Sequence, residues 1–288
     1  MSETYEKGKA VLACGAVSPH PPILLPGVGG GREKGAEATR AGMEKLAARI
    51  AARRPAVIVC ITPHGPAYRD ALAVTDGVAL AGDMSAFGVP GLRMEIEVDR
   101  ALTRSVIVNL EEAGIPVAIR TADEPGRRGR PDGGCLDHGC LVPLYFIRQA
   151  LTEFRIVHVS AGFLSTKSHR IAGAAIRKAV DRTGSDAILL ASGDMSHVLR
   201  WDGPYGFHPD GPVFDREVED ILRSGELLRL IDMDPVMVEN AAQCGLRPLC
   251  ALAGYLGGSA TAEVFSHEGP FGVGYLTAYL CEKGRDAE

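Results

Sequence analysis

The sequence predicts an α/β fold: a single domain with a mainly parallel central sheet flanked by helices and closed by a C-terminal antiparallel hairpin. Three observations predict it. Short uninterrupted apolar runs recur along the chain, as strands buried on both faces do. Between them lie stretches of helical period. The tail instead carries two apolar runs around a Gly-Pro-rich turn. With 288 residues and roughly 100–200 residues per domain, the chain fits one large domain or two small ones. No charge run or low-complexity stretch marks a boundary, so residues 1–288 are read as one domain.

The expected strands are Ala10–Val17, Ala56–Ile61, Ile115–Ile119, Arg155–Ser160 and Ala187–Ala191. Among the helical stretches, Gly35–Arg53 sets Ala36, Met43, Leu46, Ala47 and Ile50 on one stripe, with charges opposite. Arg100–Ala113, His169–Arg182 and Phe214–Arg223 follow the same rule. Strands alternating with helices of this length imply crossover connections and a sheet covered on both faces. Ala262–Cys281 is expected as the antiparallel pair at an edge. Asp123–Gly134 is the most loop-like piece; its arginines belong either to a solvated loop or to an anion-contacting lid.

Composition narrows the function classes. Hydrophobic residues make up 46% and charged residues 23%, which excludes disorder. Lys plus Arg number 31 against 36 for Asp plus Glu, a net charge of −5. Such a chain lacks the basic field that nucleic acid requires. The start, MSETYEKGKA, has no apolar core of a signal peptide. The longest apolar candidate, near Pro248–Ala262, is broken by glycines and falls short of the ~18 residues a membrane span needs. The seven cysteines, an odd number without CxxC spacing, are expected as reduced thiols of a cytoplasmic protein. Cys14, Cys60, Cys250 and Cys281 lie in apolar runs and are expected as inert core.

The chemistry is expected where strands end. One run leads into Ser18-Pro19-His20, a second into Thr62-Pro63-His64, and a third into Ser192-Gly193-Asp194-Met195-Ser196-His197. Residues just past the carboxyl ends of parallel strands line the ligand crevice of such sheets, so three imidazoles converge there if the strands are neighbours. Gathered imidazoles serve divalent-metal ligation or proton transfer near neutral pH. Asp194 is placed either to orient His197 or to touch substrate. His138, in Asp137-His138-Gly139, opens an apolar helix and is a candidate for the cleft. His158 sits inside an apolar run and is expected as a satisfied core residue. Cys244-Gly245 before a Pro-containing helix implies a tight backbone approach, with the thiol stabilised as thiolate by the helix start and by Arg247. Either Cys244 or Glu239 can complete a metal site. Tyr145, Trp201, Tyr205, Phe207 and Phe271 supply enough aromatic surface near these motifs for one small ring.

At these residues the chain resembles the class III extradiol ring-cleavage dioxygenase superfamily, of the protocatechuate 4,5-dioxygenase B-subunit type. It is most similar to the Memo-like branch of the AmmeMemoRadiSam system. The matching pieces are SPHPPILLPGVG (18–29), TPHG (62–65), LDHGCLVPLYF (136–146), SGDMSH (192–197), CGLRP (244–248) and HEGPFGVGY (267–275). The resemblance implies His20 and His64 as metal ligands, His197 as the base that deprotonates a catechol, and His138 with Arg247 on the substrate. Where the dioxygenases place a Glu ligand, it implies Cys244. Fe(II) is the implied cofactor; the softer thiolate also suits copper or zinc. The implied activity is an extradiol dioxygenase-like oxidation of a small phenolic or catecholic substrate. The alternative is a metal-binding redox or accessory protein without ring cleavage. AMMECR1-type and radical-SAM proteins are the implied partners, and a homodimer is expected by analogy.

Overall fold

The computed structural model describes residues 12–121 and 136–283, so the loop-like stretch Asp123–Gly134 lies outside the described residues. Its strands are β1 (Cys14–Ser18), β2 (Val57–Thr62), β3 (Leu72–Asp76), β4 (Ala79–Met84), β5 (Val89–Glu97), β6 (Val117–Thr121), β7 (Arg155–Ser160), β8 (Ala187–Ser192), β9 (Ala260–Glu268) and β10 (Tyr275–Glu282). The helices are α1 (Glu37–Arg53), α2 (Arg100–Glu112), α3 (His138–Ala150), α4 (Thr166–Thr183), α5 (Asp210–Ser224), α6 (Pro235–Asn240) and α7 (Leu246–Tyr255).

Eight strands form one sheet in the order β6-β3-β7-β2-β8-β1-β10-β9. Its centre, β7-β2-β8-β1, is parallel throughout. β3 and β6 run parallel to each other, but β3 meets β7 antiparallel. On the other flank β1 pairs antiparallel with β10, and β10 with β9. The fold is therefore the expected one: a mostly parallel sheet between helices, with an antiparallel pair at the C-terminal end.

The central strands read as unbroken apolar runs because both faces are covered. Alternate residues of β2 face different cores. Val57, Val59 and Ile61 join the α2, α4 and α7 side chains on one face, and Ile58 and Cys60 join those of α1 and α3 on the other. This is the period-two pattern of a strand between two helical layers. Helix starts are set by side-chain caps: Asp99 accepts from Leu102 N, Asp137 from Cys140 N and Ser165 from Ser168 N, each satisfying a backbone donor that the first turn leaves free.

Two expectations are corrected. β3 and the separate hairpin β4–β5 appear where no strand was expected. Two of β5's solvent-facing positions are Pro90 and Gly91, which blur its alternation. The cysteines are not all reduced: Cys14 and Cys281 form a disulfide. They are directly opposed in the β1–β10 register, and a cross-strand neighbour 267 residues away in sequence leaves no spacing signal. Cys60, Cys140 and Cys250 are free and buried, and Cys244 is free and partly exposed.

Candidate functional site

Three strand ends build one rim. β1 leads into Pro19-His20, β2 into Pro63-His64 and β8 into the stretch 193–197. Because β2, β8 and β1 are adjacent and parallel, their carboxyl ends stand side by side. His20 Nε2 and His64 Nε2 are 2.9 Å apart, and Cys244 Sγ lies 3.7 Å from His20 Nε2. The donor atoms of these three residues all fall within 4.8 Å of one another. His138, the first residue of α3, stacks beside them, its ring 4.1 Å from that of His64 and 5.5 Å from that of His20.

Cys244 reaches the rim through two glycines. A Cβ on Gly193 would lie 2.2 Å from Gly245 Cα, and one on Gly245 would lie 2.6 Å from Met195 Cε. The stretch after β8 and the turn before α7 thus touch backbone to backbone, the tight approach that Cys244-Gly245 implies. Asp194 N donates to Cys244 Sγ at 3.2 Å, and His197 N donates to Ala241 O, which ties the two segments together.

The N-terminus of α3 holds the β2 end that leads into His64. His64 N donates to Thr62 Oγ1, and Thr62 Oγ1 donates to Asp137 Oδ1 at 2.6 Å. Asp137 Oδ2 is 3.1 Å from His158 Nε2, and His158 Nδ1 is 3.0 Å from Thr75 Oγ1. His158 is therefore the satisfied core residue expected. Burial works against the Asp137 carboxylate, but His158 and Thr62 hold its pKa down, at about 2.

Burial, reinforced by the neighbouring imidazoles, pushes His20 and His138 down to about 3. Burial also lowers His197. Three imidazoles are thus kept neutral, the state in which ring nitrogens bind cations or accept protons. Burial, with the Asp194 charge, raises the Cys244 thiol well above its usual range. The expected stabilisation by Arg247 does not operate. That guanidinium donates to Leu164 O at 3.3 Å and lies over the Phe163 ring. A cation at the three donors would itself supply the charge that removes the thiol proton.

The residues fit a soft-to-borderline transition metal. Two imidazoles and one thiol converge, and among the described residues His197 Nε2 is buried without a hydrogen-bond partner. A buried unpaired polar atom is costly, so its position beside the cluster marks where a ligand's polar group belongs. Asp194 does not hydrogen-bond the His197 ring; its Oδ1 accepts from His20 N at 2.9 Å. Glu239 is exposed on α6 and lies outside the cluster. Of the aromatics, Tyr205 faces His197 with rings 5.3 Å apart, and Trp201 stacks on Phe207 at 5.0 Å. Tyr145 and Phe271 pack instead on the core beneath α1 and α3. Phe87, unforeseen in the sequence, reaches His138 at 5.3 Å from the β4–β5 hairpin. Thr62, Asp137 and Ser192 were also unassigned. Asp137 alone carried a signal, as an Asp preceding an apolar helix.

Over residues 14–278 the chain matches the family described as the catalytic LigB subunit of aromatic ring-opening dioxygenase. Protein CA_C1420 of Clostridium acetobutylicum is 38% identical over 258 residues, which are 89% of this chain and 55% of that protein. The chain thus spans about half the length of the curated relative it matches. Among solved structures, uncharacterized protein JW3007 from Escherichia coli K12 shares the fold, with a TM-score of 0.62 at 16% identity, over 93% of this chain and 99% of that one.

Proposed function

Because this chain belongs to the family of the catalytic LigB subunit of aromatic ring-opening dioxygenases, we propose that it is a metal-dependent, extradiol dioxygenase-like oxidoreductase acting on a small phenolic or catecholic substrate. The observation that carries the reading is the meeting of His20 Nε2 and His64 Nε2 at 2.9 Å, with Cys244 Sγ beside them and two further imidazoles at the mouth. His20, His64 and Cys244 would hold Fe(II). When bound, that ion supplies the electron transfer between an electron-rich diol and dioxygen.

The chain's own residues do the rest. His197, lowered by burial and without a partner at Nε2 among the described residues, accepts the proton of a substrate hydroxyl, a step worth about 10²–10⁴ in rate. Asp194, whose charge favours the protonated form of His197, stabilises the imidazolium that results. His138 donates a hydrogen bond to the substrate oxygen. Tyr205 stands beside His197 and Phe87 beside His138, each offering an aromatic surface to a small planar ring.

One observation favours a second reading. The third donor is a thiol, which suits copper or zinc and is itself open to oxidation. On that reading the chain is a Memo-like redox or accessory protein of the AmmeMemoRadiSam group, working with AMMECR1-type and radical-SAM partners.

The test loads metal-free protein with Fe(II) anaerobically, adds a panel of catechols, admits oxygen and follows ring-cleaved product by absorbance. Product is expected from the wild type. It should vanish in His20→Ala with the metal, and fall at least ~10²-fold in His197→Ala with metal retained. Stoichiometric metal without turnover favours the accessory reading. Less than about one-tenth equivalent of any transition metal in protein purified without chelator sinks both.

A further inference from the structure

We propose that Ser192 is a positioning residue that fixes the ring tautomer of His20, so that the lone pair of Nε2 faces His64 and Cys244. The inference deepens the metal-site reading above and rests on it for its purpose, though not for its geometry.

The argument is one of proton counting along a buried chain. Ser192 is the last residue of β8, fully buried. Its Oγ lies 2.9 Å from His20 Nδ1, across the parallel β1–β8 pair that sets Ser18 opposite Ser192. The same hydroxyl donates a short hydrogen bond to Gly139 O, in the first turn of α3. A carbonyl only accepts and a hydroxyl has a single proton, so that proton is spent on Gly139. Towards His20, Ser192 can then only accept, and Nδ1 must carry the ring proton. A neutral imidazole has one N–H. His20 Nε2 is therefore the bare nitrogen.

Asp194 Oδ2 stands 3.8 Å from His20 Nε2, beyond hydrogen-bonding distance, so it does not claim a proton there. His64 Nε2 is 2.9 Å from His20 Nε2; with His20 as acceptor, His64 donates, and neither lone pair is set against the other. Asp194 Oδ1 accepts from His20 N, so backbone and ring of His20 are held separately, by two residues of the β8 end. A ligand imidazole whose far nitrogen is tied to a fixed acceptor needs no tautomer change before it meets a cation.

Ser192 touches neither a substrate nor the cation site, so a readout independent of turnover is required. Metal-free protein labelled with ¹⁵N-histidine is examined at neutral pH, with His20→Gln used to identify the His20 signals. The wild type is expected to show His20 protonated at Nδ1 and bare at Nε2. Ser192→Ala should move that signal towards the other tautomer and weaken Co(II) or Zn(II) binding about 10–100-fold. Ser192→Thr, which keeps the hydroxyl, should restore both. A wild-type His20 protonated at Nε2 overturns the inference whether or not any variant folds, and so does a Ser192→Ala protein with the wild-type tautomer. If the tautomer moves but the wild type takes up no metal, the functional reading fails and the positioning role stands. If metal binds and the tautomer does not move, the positioning role alone is lost.

Discussion

Gly139 has a job that no other residue type can do. A Cβ there would sit 2.4 Å from Thr62 Oγ1, 2.8 Å from Asp137 Oδ1 and 3.4 Å from His64 Cδ2. Those are the atoms that fix the His64 strand end to the start of α3. Gly139→Ala should cost roughly 1–3 kcal/mol, as overpacking in a closed site does. Urea unfolding would measure that loss, and metal affinity should fall with it; an unchanged midpoint would mean the site yields freely. Asp137 offers a parallel check. Its folded pKa is depressed to about 2, so the stability it adds is present above its unfolded value near 3.8 and is lost as pH falls from there through about 2. Asp137→Asn should flatten the acid limb of the stability curve in that window. At this scale the donors themselves were legible: two Pro-His pairs after apolar runs and a Cys-Gly before a helix. Their supports were not, because Ser192 meets His20 through the register of strands distant in sequence, and Asp137 meets Thr62 where the start of α3 packs on the end of β2. Arg247 bonds Leu164 O instead of stabilising the Cys244 thiolate, since helix position does not say which carbonyl a long side chain finds.

Among the elements, β1 is the most constrained. It stands between parallel β8 and antiparallel β10, carries His20 at one end, and at the other is bonded through Cys14 to Cys281. Closing a loop of 267 residues removes much freedom from the unfolded chain, so reduction should destabilise the protein by about 2–5 kcal/mol. Chemical denaturation with and without reductant, with Cys14→Ser as the control, checks this. Insensitivity of the wild type to reductant would show that strand pairing alone holds β1. The elements best read in the sequence are β2, β7 and β8, whose burial on both faces makes most of their residues apolar. β3, β4 and β5 escaped because they are short, peripheral or interrupted by Pro and Gly, where turn residues and strand residues mix.

For the molecule as a whole, the buried imidazoles set a pH dependence. His20 and His138 are lowered to about 3 and His169 to about 4, each chiefly by burial. The unfolded chain therefore binds protons that the folded chain refuses, and stability is lost as pH falls from about 6.5 towards those values. Asp194, raised to about 6 by burial, works the other way between its unfolded value of 3.8 and about 6, as does Asp215, also raised by burial; His197, lowered by burial, is a fourth imidazole on the other side, so the histidines outnumber the carboxyls. Metal-free protein should lose stability at more than about 1.4 kcal/mol per pH unit below neutrality, read from denaturant midpoints at several pH values. A flat profile would mean that water reaches these rings. The central-sheet architecture was legible because alternation of strand and helix is a property of the entire chain, insensitive to the few strands overlooked.

The only tryptophan of the chain, Trp201, is 82% exposed and stands on the segment that follows His197, against Phe207. Its fluorescence already senses water in the native state, so emission colour is a poor gauge of unfolding, which is better followed by circular dichroism. The same isolation makes it a clean optical beacon for the segment that follows His197: any quenching on titration with a ligand comes from one indole, at one address.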